Sequence, residues 1–544
     1  MIETDYYRLF RTADDSLFSS AAGNEWMGLV DPMTFVLRLK PEIDSLIRND
    51  QPLFAFDWTP DQQRAAGVLI HEIVHWWQLS GSTLGLLHAS CINVQSNILT
   101  SLLADWVCHF EPRKSVFLAF RDTMVRNAHQ EMSLLYNVVG RWMDLEFWSA
   151  LADQRSAAYR VADKPFFKSS GESLLRAASY SLHQFLSLGG DRLQRAQWFN
   201  DWLDRAEELA EEGAEDFSGA GVLAGLSVGG REILEGQARM IEAQFLHHVS
   251  LGRYDLRALE GMGYFGGTYG HALREFTRIT GIPWPAGSLD PAAGLFLLAC
   301  DLAINPPVPY PFEMGDIREI VRHCHPGVRF LEICRTIARS TSEWLGRFSY
   351  SYETHCEFTA ALEPSPHKHS TAETAAASVD FWMRLPDLHY IMDDDIDAAL
   401  QLPSTPLKFL LRKHVALMRE KQRSPHLLCW YGALLTEVMT AELGFMRHGP
   451  PLLSVGETGQ IFGSPALDED KSRDPEDILY NFLITQGMND IIRQWVAQPG
   501  SFRFNYEWID PRQPKEFWQE ALGEYFKKMY DVPLGSIRVL PDIK

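Results

Sequence analysis

Long apolar runs, basic clusters and paired cysteines are all scarce in this sequence of 544 residues. The longest apolar run, near Gly294–Ala299, is too short to span a bilayer, so no membrane association is expected. No run of Lys and Arg and no zinc-finger spacing occurs, and the formal net charge is −21 at pH 7. A chain with that balance repels nucleic acid and anionic lipid, so neither is an expected partner. The seven cysteines (Cys91, Cys108, Cys300, Cys324, Cys334, Cys356, Cys429) are odd in number and scattered, with no C-x-x-C pair. They argue against a disulfide framework and for reduced thiols in a cytoplasmic compartment. Met1-Ile2-Glu3-Thr4-Asp5 is acidic and precedes no apolar stretch, so no secretory signal is expected. The acidic run Asp468-Glu469-Asp470-Lys471 lacks the pattern and the glycine of an EF-hand.

What is present is a globular composition, 46% apolar and 22% charged. The length allows about two to four domain-sized units or one large helical body. The most informative residues are His71-Glu72-Ile73-Val74-His75, of the form HExxH. Two histidines four apart lie on one face of a helix, one turn above the other, where they can share a metal ion, most often zinc. Glu72 stands where it can take a proton from water activated by that metal. With 18 histidines in the chain, chance yields only roughly 0.04 such matches. The context therefore matters, and it agrees: Ala65, Ala66, Val68, Leu69, Ile70, Ile73 and Val74 predict a buried helix. Thr59, Pro60 and Gln62 give that helix a T-x-x-Q capping box with proline in the first turn, and Gly81 marks its expected stop.

Missing residues narrow the metal class. The long metzincin motif needs a glycine and a histidine where this chain has Gln78 and Gly81. A di-iron bundle needs a second E-x-x-H helix, and none is found. A carboxylate must then arrive from another helix. Leu234, Ala238, Ile241 and Phe245 recur at helical spacing, and Glu235 with Ala238 forms an E-x-x-A unit. The small residue one turn on lets two helices approach closely. Arg239 and Glu242 continue along the same face, placed to orient ligands from behind. Glu232, Glu242, Glu131 and Glu146 remain as rival carboxylates.

HEIVH followed by the EGQAR segment resembles the gluzincin metallopeptidases, which combine HExxH with a later Glu in an E-x-x-A or E-x-x-D setting. The resemblance covers two short helices. It implies a zincin-like core, one Zn2+ per chain held by His71, His75 and Glu235, and Glu72 as general base. It also implies a downstream Tyr or His that stabilises the oxyanion. Tyr269 and His271, with Tyr264 as a third choice, lie in the glycine-dense segment 261–271. The 160-residue gap from His75 to Glu235 is long for that family, so a large helical insertion is expected at about 84–228.

The remaining chain is expected to be mainly α-helical with a small N-terminal β element. Met33–Lys40 and Pro52–Trp58 read as strands, and by the same resemblance Leu53–Phe56 is the candidate rim for an extended peptide. Leu84–Val107, Ser115–Asn127, Gln130–Tyr159, Ser173–Leu188 and Arg192–Glu212 read as helices, and Asp216–Gly230 as a loop. Trp76 and Trp77 read as core. The proline-rich segment 305–312 is the expected boundary between a catalytic domain, 1–304, and a mostly helical C-terminal region, 313–544, for which a regulatory partner is conceivable. His323-Cys324-His325 and His355-Cys356 match no common zinc module. The expectation is thus a zinc metallopeptidase acting on protein or peptide. A zinc hydrolase of another bond, or a helical scaffold with a vestigial site, are the alternatives.

Overall fold

The computed structural model describes residues 28–31, 36–47, 58–153, 166–187, 204–206, 208–209, 211–308, 316–365, 367–384, 405–435, 452–455, 460–463, 475–504, 506 and 513–540. The chain is mainly helical. Helix α1, Pro60–Gly81, carries HExxH. The Thr59 hydroxyl accepts from the Gln62 amide while the Gln62 side chain accepts from the Thr59 amide, so the capping box closes. Every residue from Leu69 to Gly81 is buried. A helix buried on all sides lies in the middle of a molecule, not on its surface. Its end differs from expectation. Gly81 stays helical, and extended Ser82 turns the chain directly into α2, Thr83–His109. The Ser82 hydroxyl donates to the Gln78 carbonyl at 2.6 Å and accepts from the Gly85 amide at 2.9 Å, ending one helix and starting the next.

The expected insertion is a helical layer on one side of α1. It contains α2, Val116–Arg126, His129–Asp153 and Ser170–Ser187, packed on one another. Parts of Arg192–Glu212 are helical, and the rest lies outside the described residues, as do 154–159. The glycine-rich approach is not a plain loop: Glu215–Ser218 and Ala220–Ala224 are short helices. Helix α3, Gly230–Val249, follows and packs along α1. Gly67 permits this approach, since a Cβ there would stand 3.1 Å from Leu246 Cδ2 and 3.3 Å from Glu242 Oε1. Helix α4, Pro291–Ile304, covers α3 and is buried from Ala292 onward.

The β element is built from both ends of the chain. Strands β1, Gly28–Asp31, and β2, Val36–Leu39, pair antiparallel. Strand β3, Leu452–Val455, joins β2 in parallel, and β4, Gln460–Gly463, closes the sheet antiparallel to β3. Among the described residues the order β1-β2-β3-β4 leaves β1 at an edge, beside α1. The expected strand at Leu53–Phe56 lies outside the described residues. A second small sheet pairs Arg113–Lys114 with Arg538–Val539.

Beyond the proline-rich segment come α5, Tyr352–Leu362, and α6, Thr405–Arg423. Residues 309–315 lie outside the described residues, but helices on both sides of them share one hydrophobic core. Trp76 packs near Phe409 of α6, and Trp77 meets Tyr431 edge to face. Both tryptophans are core residues.

Candidate metal centre

Helices α1 and α3 bring His71, His75 and Glu235 together. Their imidazole Nε2 atoms are 3.0 Å apart, and Glu235 Oε2 lies 3.3 Å from each. All three residues are buried. The helical repeat explains the pair on α1, and the close passage of α3 supplies the carboxylate.

The groups behind the histidines fix where their protons sit. The Gln78 amide nitrogen donates to the Leu234 carbonyl at 2.9 Å and to Gln237 Oε1 at 2.8 Å. Its oxygen is therefore the acceptor facing His75 Nδ1, at 2.8 Å. The Glu242 carboxylate faces His71 Nδ1 at 3.0 Å. Each imidazole thus carries its proton on Nδ1, and each Nε2 presents a lone pair. Glu235 Oε2 has no hydrogen-bond partner. Three lone pairs converging without a proton between them repel one another unless a cation stands at their centre. Zinc bonded at about 2.0–2.1 Å in a tetrahedron separates its ligand atoms by about 3.3–3.4 Å, close to the observed triangle. The residues fit a zinc ion.

Without a metal, the charges in the cluster compensate one another. Burial pushes the His71 imidazole down, but the Glu235 and Glu242 carboxylates beside its two ring nitrogens more than offset this, and its pKa is raised. Burial alone would raise Glu235; His75 and His71 instead hold it well below the usual carboxylate range. Burial likewise opposes the charge on Glu242, and Arg239, His71 and Tyr264 overcome it. Glu72 is the exception. Burial pushes its carboxyl up to about 8, against the pull of His75 and with the help of Glu235 and Glu242. Its Oε2 is buried without a partner.

Around the cluster, Arg239 donates to Glu242 Oε2 at 2.7 Å and lays its guanidinium over two rings, 4.4 Å from Tyr264 and 4.1 Å from Tyr269. Tyr264 donates to Glu242 Oε1. Tyr269 is half-buried, 5.9 Å ring to ring from His71, and its hydroxyl bonds no described residue. Gly270 lets its segment fold tightly, since a Cβ there would stand 2.1 Å from the Phe265 carbonyl oxygen. Gly28 of β1 lies directly over Glu72, where a Cβ would fall 2.6 Å from Cγ and 2.9 Å from Oε1.

The other expected residues have neighbours of their own. His271 Nε2 faces the Ser227 carbonyl at 2.7 Å. Tyr264 is committed to Glu242. Among the rival carboxylates, Glu232 caps its own helix through the Gly229 amide, Glu131 accepts from Trp106 and pairs with Arg113, and Glu146 accepts from Gln95. In the triplet 323–325, His323 lies near Glu319, Cys324 donates to the Val308 carbonyl and His325 faces the Leu151 carbonyl, so no shared site forms there. Sequence reasoning missed Gln78, Gln237 and Gly28. The two amides were visible as polar residues on otherwise apolar helix faces; nothing local marked Gly28. Among the described residues no helix is long and apolar enough to cross a membrane, and all seven cysteines are free. Compared with known proteins, the chain matches no family model, no curated protein and no solved structure.

Proposed function

We propose that this chain is a zinc-dependent hydrolase that cleaves peptide bonds, a gluzincin-like metallopeptidase. One observation carries the reading: three buried lone pairs, on His71, His75 and Glu235, converge beside a carboxylate, Glu72, that has an unpartnered oxygen. His71 and His75 would hold the ion through Nε2 and Glu235 through a carboxylate oxygen. Zinc, when bound, supplies a Lewis acid that polarises a carbonyl and makes water more acidic.

The chain's own groups do the rest. Glu72 accepts the proton of the attacking water and delivers it to the leaving amine. Glu242 and Gln78 hold the two imidazoles by their Nδ1 protons and keep Nε2 free. Tyr269, with a hydroxyl that burial keeps protonated, is placed to donate to the oxyanion. Arg239 holds the Tyr269 ring in place from behind. A peptide is favoured over other substrates because β1, an edge strand among the described residues, lies beside Glu72, and an extended backbone can pair with such an edge.

The test is hydrolysis of a mixed peptide library by the zinc-loaded chain, compared with Glu72→Gln. New peptide termini produced only by the wild type are the expected result. Zinc binding with no cleavage of any peptide would remove the peptidase assignment, and absence of zinc would remove the enzyme.

A further inference from the structure

A second group of metal-type side chains lies apart from the HExxH cluster. Asp301 on α4, His355 on α5 and Cys429 at the end of the short helix Pro425–Cys429 each offer one ligand atom, and these atoms lie within 4.8 Å of one another. All three residues are buried, His355 completely. His355 is the decisive member. Neither of its ring nitrogens has a hydrogen-bond partner, although a neutral imidazole carries both an N–H and a lone pair. Buried polar groups are normally paired, and an orphaned ring within 4.8 Å of a thiol and a carboxylate calls for an ion. Trp430 packs edge to face on His355, ring centres 5.4 Å apart, and fixes its plane.

Asp301 is held in place by two neighbours. Its Oδ1 accepts from the Asn305 amide at 3.0 Å and lies 3.6 Å from the Lys421 ammonium, which itself donates to Asn305 Oδ1 at 3.1 Å. These contacts leave Oδ2 for another partner.

We propose that Asp301, His355 and Cys429 form a second, structural metal centre that takes one zinc ion. A thiolate, an imidazole and a carboxylate make the mixed donor set that zinc accepts; magnesium and calcium prefer oxygen alone. On binding, the Cys429 thiol releases its proton to solvent and the sulfur bonds the metal, with no change of oxidation state. The centre ties three helices together. Asp301 precedes the proline-rich segment and sits on the helix that covers α3; His355 and Cys429 follow it. The ion would thus pin the C-terminal half to the helix behind Glu235.

Cobalt(II) tests this in the intact chain, because the HExxH cluster contains no sulfur. Cobalt-loaded wild type should show a thiolate-to-cobalt charge-transfer band in the near ultraviolet, and zinc-loaded wild type should hold two ions per chain. A His71→Ala/His75→Ala chain should keep the band and one ion. Cys429→Ser should lose the band and one ion while retaining the other. A wild-type chain that binds one metal ion and gives no such band overturns the proposal, whether or not the Cys429→Ser chain folds. So does a band that survives in Cys429→Ser. Failure of the first centre leaves the band untouched, so the two readings fail separately.

Discussion

At the scale of single residues, the centre is organised by what stands behind each ligand. Glu242 and Gln78 fix the imidazole protons, so Glu242→Gln or Gln78→Ala should weaken zinc binding at this centre by about 10–100-fold without unfolding the chain. Competition with a chelator of known affinity measures this, and unchanged affinity in both variants would assign the two residues a packing role only. Glu72→Gln should keep that zinc and lose hydrolysis by about 10²–10⁴-fold, because glutamine keeps the shape and removes the base. The pH dependence of the metal-free protein follows from the same carboxyl. Its pKa rises from 4.5 in the unfolded chain to about 8 in the fold. Between those values the fold retains a proton that the unfolded chain has lost, so this carboxyl's contribution to stability falls as pH rises through that window. His71, also raised, adds in the same direction above its ordinary value. Buried His88, His325, His355 and His414, held below their ordinary value by burial, act in the opposite direction, so the Glu72 contribution is read as a difference between two chains. Between pH 5.5 and pH 8 the thermal midpoint of chelator-treated wild type should fall more, or rise less, than that of Glu72→Gln, and the same pH dependence in both would contradict this.

Elements decide what the sequence could and could not disclose. The α1 start was legible in Thr59, Pro60 and Gln62, because capping chemistry is local. The pairing of α1 with α3 was legible in part, since HExxH needs a third ligand and Glu235 lay on a helical apolar pattern. The close passage, however, rests on Gly67 as well as on the small residue after Glu235, and a lone glycine inside a helix carries no sign of what it faces. The sheet was the least legible element. Its four strands come from residues 28–39 and 452–463, and nothing in a four-residue strand names a partner more than 400 residues away. The rim of the site was therefore expected at Leu53–Phe56, while the described edge strand beside Glu72 is Gly28–Asp31. Gly28 gives this a test. In Gly28→Val the new side chain must displace either β1 or Glu72. Misplacing a catalytic group by about 1 Å costs about 10²-fold in rate. The variant should lose about that much activity and keep its zinc. Activity equal to wild type would mean that β1 does not bound the working site.

For the molecule as a whole, the question is whether the C-terminal region is a separate body or part of the metal helix's surroundings. A proline-rich segment reads as a boundary because it cannot continue either helix or sheet, yet such a segment crosses the surface of a single body equally well. The packing favours the second. Trp76 and Trp77 turn away from the ligands toward Phe409 and Tyr431, beyond that segment. Leu417 of α6 lies against Gly81, where a Cβ would stand 3.1 Å from its Cδ1, and His414 Nδ1 faces the Ser80 carbonyl at 3.0 Å. Strand β3, from the same region, is the neighbour of β2. A fragment of residues 1–304 would expose two buried tryptophans, the side of α1 that faces α6, and the edge of β2 that pairs with β3. Losing one buried tryptophan side chain costs about 3–5 kcal/mol, a large part of the total stability of an ordinary domain. The fragment should therefore be insoluble or lack fixed aromatic packing, and the intact chain should unfold without first releasing an independent N-terminal half. Near-ultraviolet circular dichroism and calorimetry on both species check this. A soluble 1–304 fragment with a sharp thermal transition and bound zinc would show that the halves are separable, and that the C-terminal region only covers a centre complete without it.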